Sequence, residues 1–432
     1  MISWPFGRGP FATSFNGCDV MGVTRVISID EALALVLAEA HPLGAEARLL
    51  PEALGAVLSQ DIRASHDVPP FANSAMDGFA VLARDTVGAS PTRPVELRLT
   101  DTIPAGVWSE RRVEMGATAK IMTGAPLPPG ADAVVEVEAT EESGGIVRVF
   151  REVTSGTSVR EAGEDVRAGD LVLAAGDALG PAEIGIMASL GFPIVSVVRR
   201  PRVAVVSTGS ELVEVDQPLG PGQIRNSNSY TLEALCRQVG ALPERLGIVP
   251  DDYDATLRLL ESGLAYDVLI TSGGVSVGEF DFVKEAQAAL GIERRLWQVA
   301  MKPGKPLVFG VRGDCLVFGV PGNPVAAMVS FELFVRPALL RLMGHRRVVR
   351  ARYRAVLEED VPNRHDREYV VRVRAWREEG RWHASSTGPQ GSGMLRSMVK
   401  ADGLAFVPAE TGGLKRGDKV DLLLLREEML EL

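Results

Sequence analysis

The sequence predicts a multidomain protein of mixed α/β and β class, and three observations carry that reading. Its 432 residues exceed what one hydrophobic core supports, so about two to four domains are expected. Between Val203 and Met343, short apolar runs alternate with amphipathic stretches, the rhythm of a doubly wound parallel sheet with helices on both faces. Either side of it, from Gly78 to Val159 and after Arg347, short alternating runs separated by Gly, Pro and Asp read as β domains, the second a small barrel.

Bulk properties narrow the class of function. The net charge of −10 argues against a nucleic-acid coat or an anionic membrane surface as the main partner. Cys18, Cys236 and Cys315 lie far apart, so neither a disulfide framework nor a zinc site is readable, which suits a reducing cytoplasm. The first residues lack an apolar core of signal-peptide length, and residues 1–25 read as a weakly ordered arm. The most apolar stretch, 325–340, contains Glu332 and Arg336, which argues against a membrane span. A soluble cytoplasmic protein is expected.

Along the chain, Ser28-Ile29-Asp30-Glu31 is a capping box ahead of an apolar helix. Leu50 to Ala64 reads as a turn and a strand, and Pro69-Pro70 then stops regular structure. The small-residue loop 71–78 follows, carrying Asp77, and a composition shift there opens the β insert, 69–160. Within the insert, Met122-Thr123-Gly124-Ala125-Pro126 begins a proline-dense, rigid loop. Pro181 and Gly191 bracket a helix over 182–190, and Arg199-Arg200-Pro201-Arg202 reads as a linker.

The α/β domain, 201–346, supplies strands at 203–206, 268–270 and 316–320 and helices at 229–239 and 254–263. Asn323 as N-cap with Pro324 at the first helical position starts an apolar helix running to Met343. Residues 347–432 form the C-terminal β domain.

The chemistry concentrates in three loops that leave strand C-termini: Ser207-Thr208-Gly209-Ser210-Glu211, Thr271 to Asp281, and Val320 to Pro324. In an open α/β sheet these converge on one edge, where ligands bind. Ser272-Gly273-Gly274 and Ser276-Val277-Gly278 let backbone N–H groups approach a phosphate, and a following helix start adds its dipole. Met301-Lys302-Pro303-Gly304-Lys305-Pro306 holds Lys302 and Lys305 in a rigid frame, suited to binding phosphate or an oxyanion. Acids beside a phosphate loop make sense when a cation lies between. Glu211, Asp251 or Asp252, Glu279 and Asp281 are the candidates, and Mg²⁺ suits such carboxylates better than Zn²⁺.

Each feature has a plainer explanation. Gly273-Gly274 alone would be a tight turn, the acids near Asp251 could cap the helix at 254, and Asp77 could be an ordinary turn residue. What raises the set above these is three loops on one edge together with the lysine frame. The five histidines fall outside these loops and are expected mostly at the surface, so histidine acid–base chemistry is not expected.

Seven motifs resemble, in order, those of the molybdopterin molybdenumtransferase family, which includes the gephyrin E domain. They are Asn73–Gly78, Thr123-Gly124-Ala125, Gly163-Glu164-Asp165, Ser207–Leu212, Thr271–Gly278, Lys302–Pro306 and Pro321-Gly322-Asn323-Pro324. The resemblance runs from Val26 to the C-terminus. It implies a first domain split as 26–68 and 161–200 around the insert, and an elongated homodimer. It further implies Mg²⁺-dependent insertion of molybdate into adenylated molybdopterin with release of AMP. It places Asp77, Thr123, Asp165, Lys302 and Lys305 in catalysis, with Asp77 and Thr123 arriving from a second subunit. Substrate-binding positions would be Ser207, Thr208, Gly209, Ser272, Gly273, Gly274, Ser276, Gly278, Pro321, Gly322, Asn323, Pro324 and Ser392. Metal positions would be Glu211, Asp251 and Asp281.

By the same resemblance, the loop 391–397 and an arginine at Arg367 or Arg372 would touch molybdate. A molybdopterin adenylyltransferase is implied as a partner. Ser210 stands where the family has Asp, one carboxylate fewer for a metal. Two other readings compete: a gephyrin-like binding scaffold, which should carry a long linker or an extra domain, and an adenylyltransferase, which is normally a single domain without the β insert.

Overall fold

The computed structural model describes residues 26–274 and 282–426, with Phe282 and Lys284 described by backbone only. The arm at 1–25 and the calls on Ser276, Gly278, Glu279 and Asp281 lie outside the described residues. The chain divides into two compact units. One comprises the residues up to His41, Arg200–Leu342 and the chain from Arg347 onward; the other comprises Pro42–Arg199 with Met343–Arg346.

The first unit is built on a six-stranded sheet. Its spatial order is Leu242–Val249, Arg202–Thr208, Val268–Ser272, Cys315–Val320, Pro306–Arg312, Glu293–Gln298. The first four strands are parallel, as the alternating rhythm predicts. Val203 to Val206 and Val268 to Ile270 are fully buried, which explains why these strands read as unbroken apolar runs rather than alternating ones. The last two strands are antiparallel, a departure from an all-parallel sheet. Gly313-Asp314 is a two-residue hairpin loop with Gly313 at φ +58, and such a turn reverses the chain without a crossover helix.

Ser28 and Glu31 form the expected capping box at the helix Ile29–Glu39. The helix expected from 229 begins two residues earlier, as Ser227–Val239 capped by Asn226, and Gly240 ends it at φ 101. The apolar helix after Asn323 is continuous but changes pitch. It runs α over Pro324–Ser330, π over Phe331–Val335 and α over Arg336–Leu342. In the C-terminal part of this unit, strands Glu368–Glu378, Arg381–Ser386, Arg352–Leu357, Lys419–Leu424 and Gly403–Val407 pair in that order, and the last pairs back to the first. That ring is the small barrel the sequence predicts. Strand Met301–Lys302 pairs beside Glu368–Tyr369, so the lysine frame is joined to the barrel by backbone hydrogen bonds.

In the second unit the β insert forms a six-stranded sheet. The order is Ala133–Glu136, Gly78–Val81, Ala117–Ile121, Val95–Ile103, Ile146–Val149, Thr140–Ser143. Gly78 opens its second strand, and a Cβ there would lie 2.1 Å from the Val135 carbonyl oxygen, so only glycine fits. This fixes the loop end that carries Asp77. Among the described residues no helix is long and apolar enough to cross a membrane.

Candidate functional site: a phosphate cradle beside a cationic pocket

The sheet order places Arg202–Thr208 between Leu242–Val249 and Val268–Ser272, so successive connections leave in opposite directions beside Thr208 and Ser272. Ligands bind at such a switch point. A cavity of about 740 Å³ lies there. Of the sequence-predicted residues, Ser207, Thr208, Gly209, Glu211, Asp251, Ser272, Gly273, Gly274, Pro321, Gly322, Asn323 and Pro324 line it.

The three loops are interlocked. The Gly273 N–H donates to the Val320 carbonyl at 3.1 Å, and a Cβ on Gly322 would meet the Gly273 Cα at 3.8 Å. Gly273 and Gly274 have φ +95 and +62, and a Cβ on Gly273 would lie 2.7 Å from both Thr208 O and Oγ1. These glycines are therefore needed for both backbone angle and close approach. Asn323 holds the N-cap position, but its side chain makes no capping hydrogen bond, which leaves it available at the cavity.

Sequence reasoning missed Asn226, Ser227 and Asn228, which also line the cavity. Asn226 Oδ1 accepts from Ser207 Oγ at 2.9 Å and from Ser229 N–H at 3.2 Å. Its Nδ2 is a buried donor with no partner among the described residues. Asn228 Nδ2 donates to Ser272 Oγ at 2.8 Å and to the Gly322 carbonyl at 2.7 Å, tying two loops together. The Asn-Ser-Asn-Ser run was the available signal, since such residues mark a helix N-terminus. The N–H ends of this helix and an unpartnered amide donor are the equipment of an anion site.

The acids at Asp251 and Asp252 divide by role. Asp252 caps the helix Tyr253–Gly263, accepting from the Ala255 N–H at 2.8 Å. Asp251 lines the cavity, and its Oδ2 accepts from the Ser210 N–H at 3.2 Å, while Ser210 Oγ accepts from the Asp251 N–H at 3.0 Å. Ser210 thus serves as a bracket for Asp251. Among the described residues no group of three or more His, Cys, Asp or Glu forms a metal cluster. Glu211 and Asp251 nonetheless both line the cavity, and Mg²⁺ takes one or two carboxylates while keeping waters and substrate phosphates.

A second cluster lies at the lysine frame. Arg372 is 0% exposed; its Nε donates to Ser397 Oγ at 3.2 Å and its Nη2 to the Gly391 carbonyl at 3.1 Å. Among the described residues its Nη1 has no hydrogen-bond partner, and the same holds for the buried Ser330 Oγ, while Arg367 Nε faces Asp366 Oδ1 at 3.4 Å. A Cβ on Gly304 would lie 3.1 Å from that Ser330 hydroxyl, which puts Ser330 against the Lys302-Pro303-Gly304 turn. Burial, then Arg367 and Arg372, holds the Lys302 ammonium below the usual lysine range. Burial likewise lowers Arg372. Clustered cations with buried donors left open, and with Asp366 beside Arg367 94% exposed, form a positively charged cluster whose open donors suit an oxyanion. The sequence offered Arg367 or Arg372, and both lie close enough to Lys302 to act on its charge. Ser330 carried no signal, because a serine inside an apolar helix reads as filler.

Ser392 contributes through its backbone: its carbonyl accepts from the Val325 N–H at 3.1 Å, docking the 391–397 loop on the helix that begins at Pro324. Gly393, next to it, lines the cavity. The Lys305 carbonyl accepts from Val299 and Leu307, and Pro306 after it lines the cavity.

The histidines, expected mostly at the surface, divide: His41 and His66 are exposed, while His345, His365 and His383 are half-buried, and His365 is hydrogen-bonded to Lys302 Nζ. Residue spacing could not reveal this, because the two are brought together by the pairing of Met301–Lys302 beside Glu368.

Asp77, Thr123 and Asp165 belong to the second unit. Asp77 Oδ1 accepts from the Thr123 N–H at 2.7 Å and from its hydroxyl at 2.8 Å, so the two motifs meet. The backbone bond and then the hydroxyl bond lower the Asp77 pKa and keep it ionised. That is more than a turn aspartate, since its partner comes from another strand end. Asp165 is exposed and its N–H donates to the Val68 carbonyl at 3.1 Å.

Comparison with known proteins agrees with this architecture throughout. Residues 27–191 match the MoeA N-terminal region (domain I and II), 204–341 a probable molybdopterin binding domain, and 354–425 the MoeA C-terminal region (domain IV). The molybdopterin molybdenumtransferase of Bacillus subtilis (strain 168) is 37% identical over 407 residues, 93% of this chain and 95% of that protein. The chain belongs to the molybdopterin molybdenumtransferase family. The molybdopterin molybdenumtransferase of Staphylococcus aureus (strain Mu50 / ATCC 700699) is 32% identical over 94% of this chain and 97% of that relative. A crystal structure of the molybdopterin biosynthesis MoeA protein from Pyrococcus horikoshii superposes with a TM-score of 0.80 at 32% identity, covering 93% of this chain and all of that one. The molybdenumtransferase family thus accounts for both the α/β unit with its barrel and the β insert.

Proposed function

We propose that this chain transfers molybdenum from molybdate to adenylated molybdopterin and releases AMP, in an Mg²⁺-dependent reaction of molybdenum cofactor biosynthesis. The observation that carries the reading is the juxtaposition of two anion sites in one unit. A phosphate cradle at the strand ends and a cationic pocket at Lys302 and Arg372 share the helix from Pro324 and the 391–397 loop.

In this reading the Ser272–Gly274 backbone, Asn226 Nδ2 and the N-terminus of the helix Ser227–Val239 bind the pyrophosphate, and Asn323 and Thr208 orient it. Glu211 and Asp251 would hold Mg²⁺, which supplies charge neutralisation at the phosphates. Arg372 and Ser330 hold molybdate through their open donors, beside the charges of Lys302 and Arg367. Catalysis is then positioning and preorganised charge rather than histidine acid–base chemistry. By family resemblance, Asp77 and Thr123 of a second copy complete the cavity, in a cytoplasmic homodimer supplied by a molybdopterin adenylyltransferase.

The test mixes protein, Mg²⁺, molybdate and adenylated molybdopterin and follows AMP. Glu211→Gln and Asp251→Asn should abolish molybdate-dependent AMP release in protein that remains folded; full activity in both would overturn the assignment. Mixing Asp77→Ala with Glu211→Gln subunits should restore activity, because one cavity per dimer is then intact. If subunit exchange is verified and activity stays absent, the shared cavity is excluded.

A further inference from the structure

The cationic cluster has a titratable neighbour, His365, that the reading above does not use. His365 Nε2 meets Lys302 Nζ, and its ring stands edge-on to Tyr369 with centroids 6.0 Å apart. The His365 backbone N–H donates to Asn363 Oδ1 at 3.1 Å. Asn363 is 2% exposed and its Nδ2 donates to the carbonyls of Arg367 at 2.9 Å and Pro408 at 3.1 Å. The backbone at His365 is therefore anchored to the barrel, and the ring packs edge-on against Tyr369 of a barrel strand.

We infer that His365 is a positioning residue for Lys302: neutral, it accepts a hydrogen bond from the ammonium and holds it; protonated, it releases Lys302 to a bound oxyanion. The inference rests on the reading of this pocket as the molybdate site. An ammonium has only donors, so the ring nitrogen facing it must be an acceptor, and that requires the neutral tautomer with its proton on Nδ1. The groups facing the ring are Lys302 from its short strand, Tyr369 from the barrel strand, and Asp366 and Arg367 from its own loop. Burial, then Lys302 and Arg367, depress the His365 pKa, outweighing Asp366, and so favour this neutral form near pH 7.

Adding a proton removes the acceptor and puts a cation beside Lys302. A dianion in the pocket relieves both effects. By linkage, anion binding must then raise the His365 pKa and proton uptake must tighten anion binding by the same factor.

The experiment titrates the full chain with micromolar molybdate by calorimetry between pH 5.5 and 7.5, in paired buffers of different ionisation enthalpy. Wild type should bind about fivefold or more tightly at the acid end and take up protons on binding. His365→Gln keeps an acceptor but cannot titrate, so its curve should flatten and its proton uptake fall away, whereas a packing role alone would leave the slope in place. An equal slope in wild type and variant overturns the inference, as does wild-type binding without proton uptake. The reading beneath it fails separately, if wild type binds no molybdate at any pH or if Arg372→Met binds it like wild type.

Discussion

Replacing Arg372 by Met separates what the buried guanidinium does for the fold from what it does for a ligand. The side chain is 0% exposed and donates to Ser397 Oγ and the Gly391 carbonyl. Two charge-assisted hydrogen bonds stabilise by roughly 3–6 kcal/mol together. Burying the charge costs several kcal/mol, which offsets most of that gain. Met fills similar length without charge, so the unfolding free energy should fall by no more than about 2 kcal/mol. Molybdate binding has no such offset, because the open Nη1 donor is lost outright. A hydrogen bond between charged groups is worth about 1.5–3 kcal/mol, which is roughly 10- to 150-fold in affinity. Calorimetric titration with molybdate, alongside denaturant unfolding, reads both quantities. A folded variant that binds molybdate within about threefold of wild type would refute the pocket assignment.

Other perturbations probe the cradle and the core. Gly273→Ala forces a Cβ to within 2.7 Å of Thr208 O at φ +95, so it should destabilise by at least about 1–3 kcal/mol in urea unfolding and weaken nucleotide binding; wild-type behaviour in both would contradict the packing of the three loops. Ser210→Asp restores a carboxylate beside Glu211 and Asp251 and should tighten Mg²⁺ binding about tenfold by calorimetry. Unchanged Mg²⁺ affinity would remove these acids from the metal site. Burial pushes the thiols of Cys236 and Cys315 up to about 12, so neither should be labelled by a thiol-specific reagent at pH 8 in native protein. Mass mapping after labelling and digestion checks this, and rapid modification at either position would contradict their burial.

The sequence by itself determined most of the local order. Apolar runs such as Val268–Ile270 are buried on both faces, and hydrophobicity alone marks them. The Ser28 capping box, the Asn323-Pro324 helix start and the glycines at 273 and 274 are short-range signals, written in a few neighbouring residues. The strand-end loops followed from the alternation of strands and helices, and twelve of the predicted positions line one cavity.

Tertiary structure decided the rest, because the deciding contacts join residues far apart in the chain. The Gly313-Asp314 hairpin turned the far strands antiparallel. Asn228 became a bridge between Ser272 and Gly322 only once those loops met. Asp77 acquired Thr123 through the pairing of Gly78 with Ile121. Above all, Lys302, Ser330, the loop carrying His365 and Arg367, and Arg372 come from four separate places in the chain, and nothing in their spacing announces a common cluster. Local hydrogen bonding and burial are legible residue by residue, whereas a cluster of buried, unpartnered donors exists only when the barrel closes against the lysine frame.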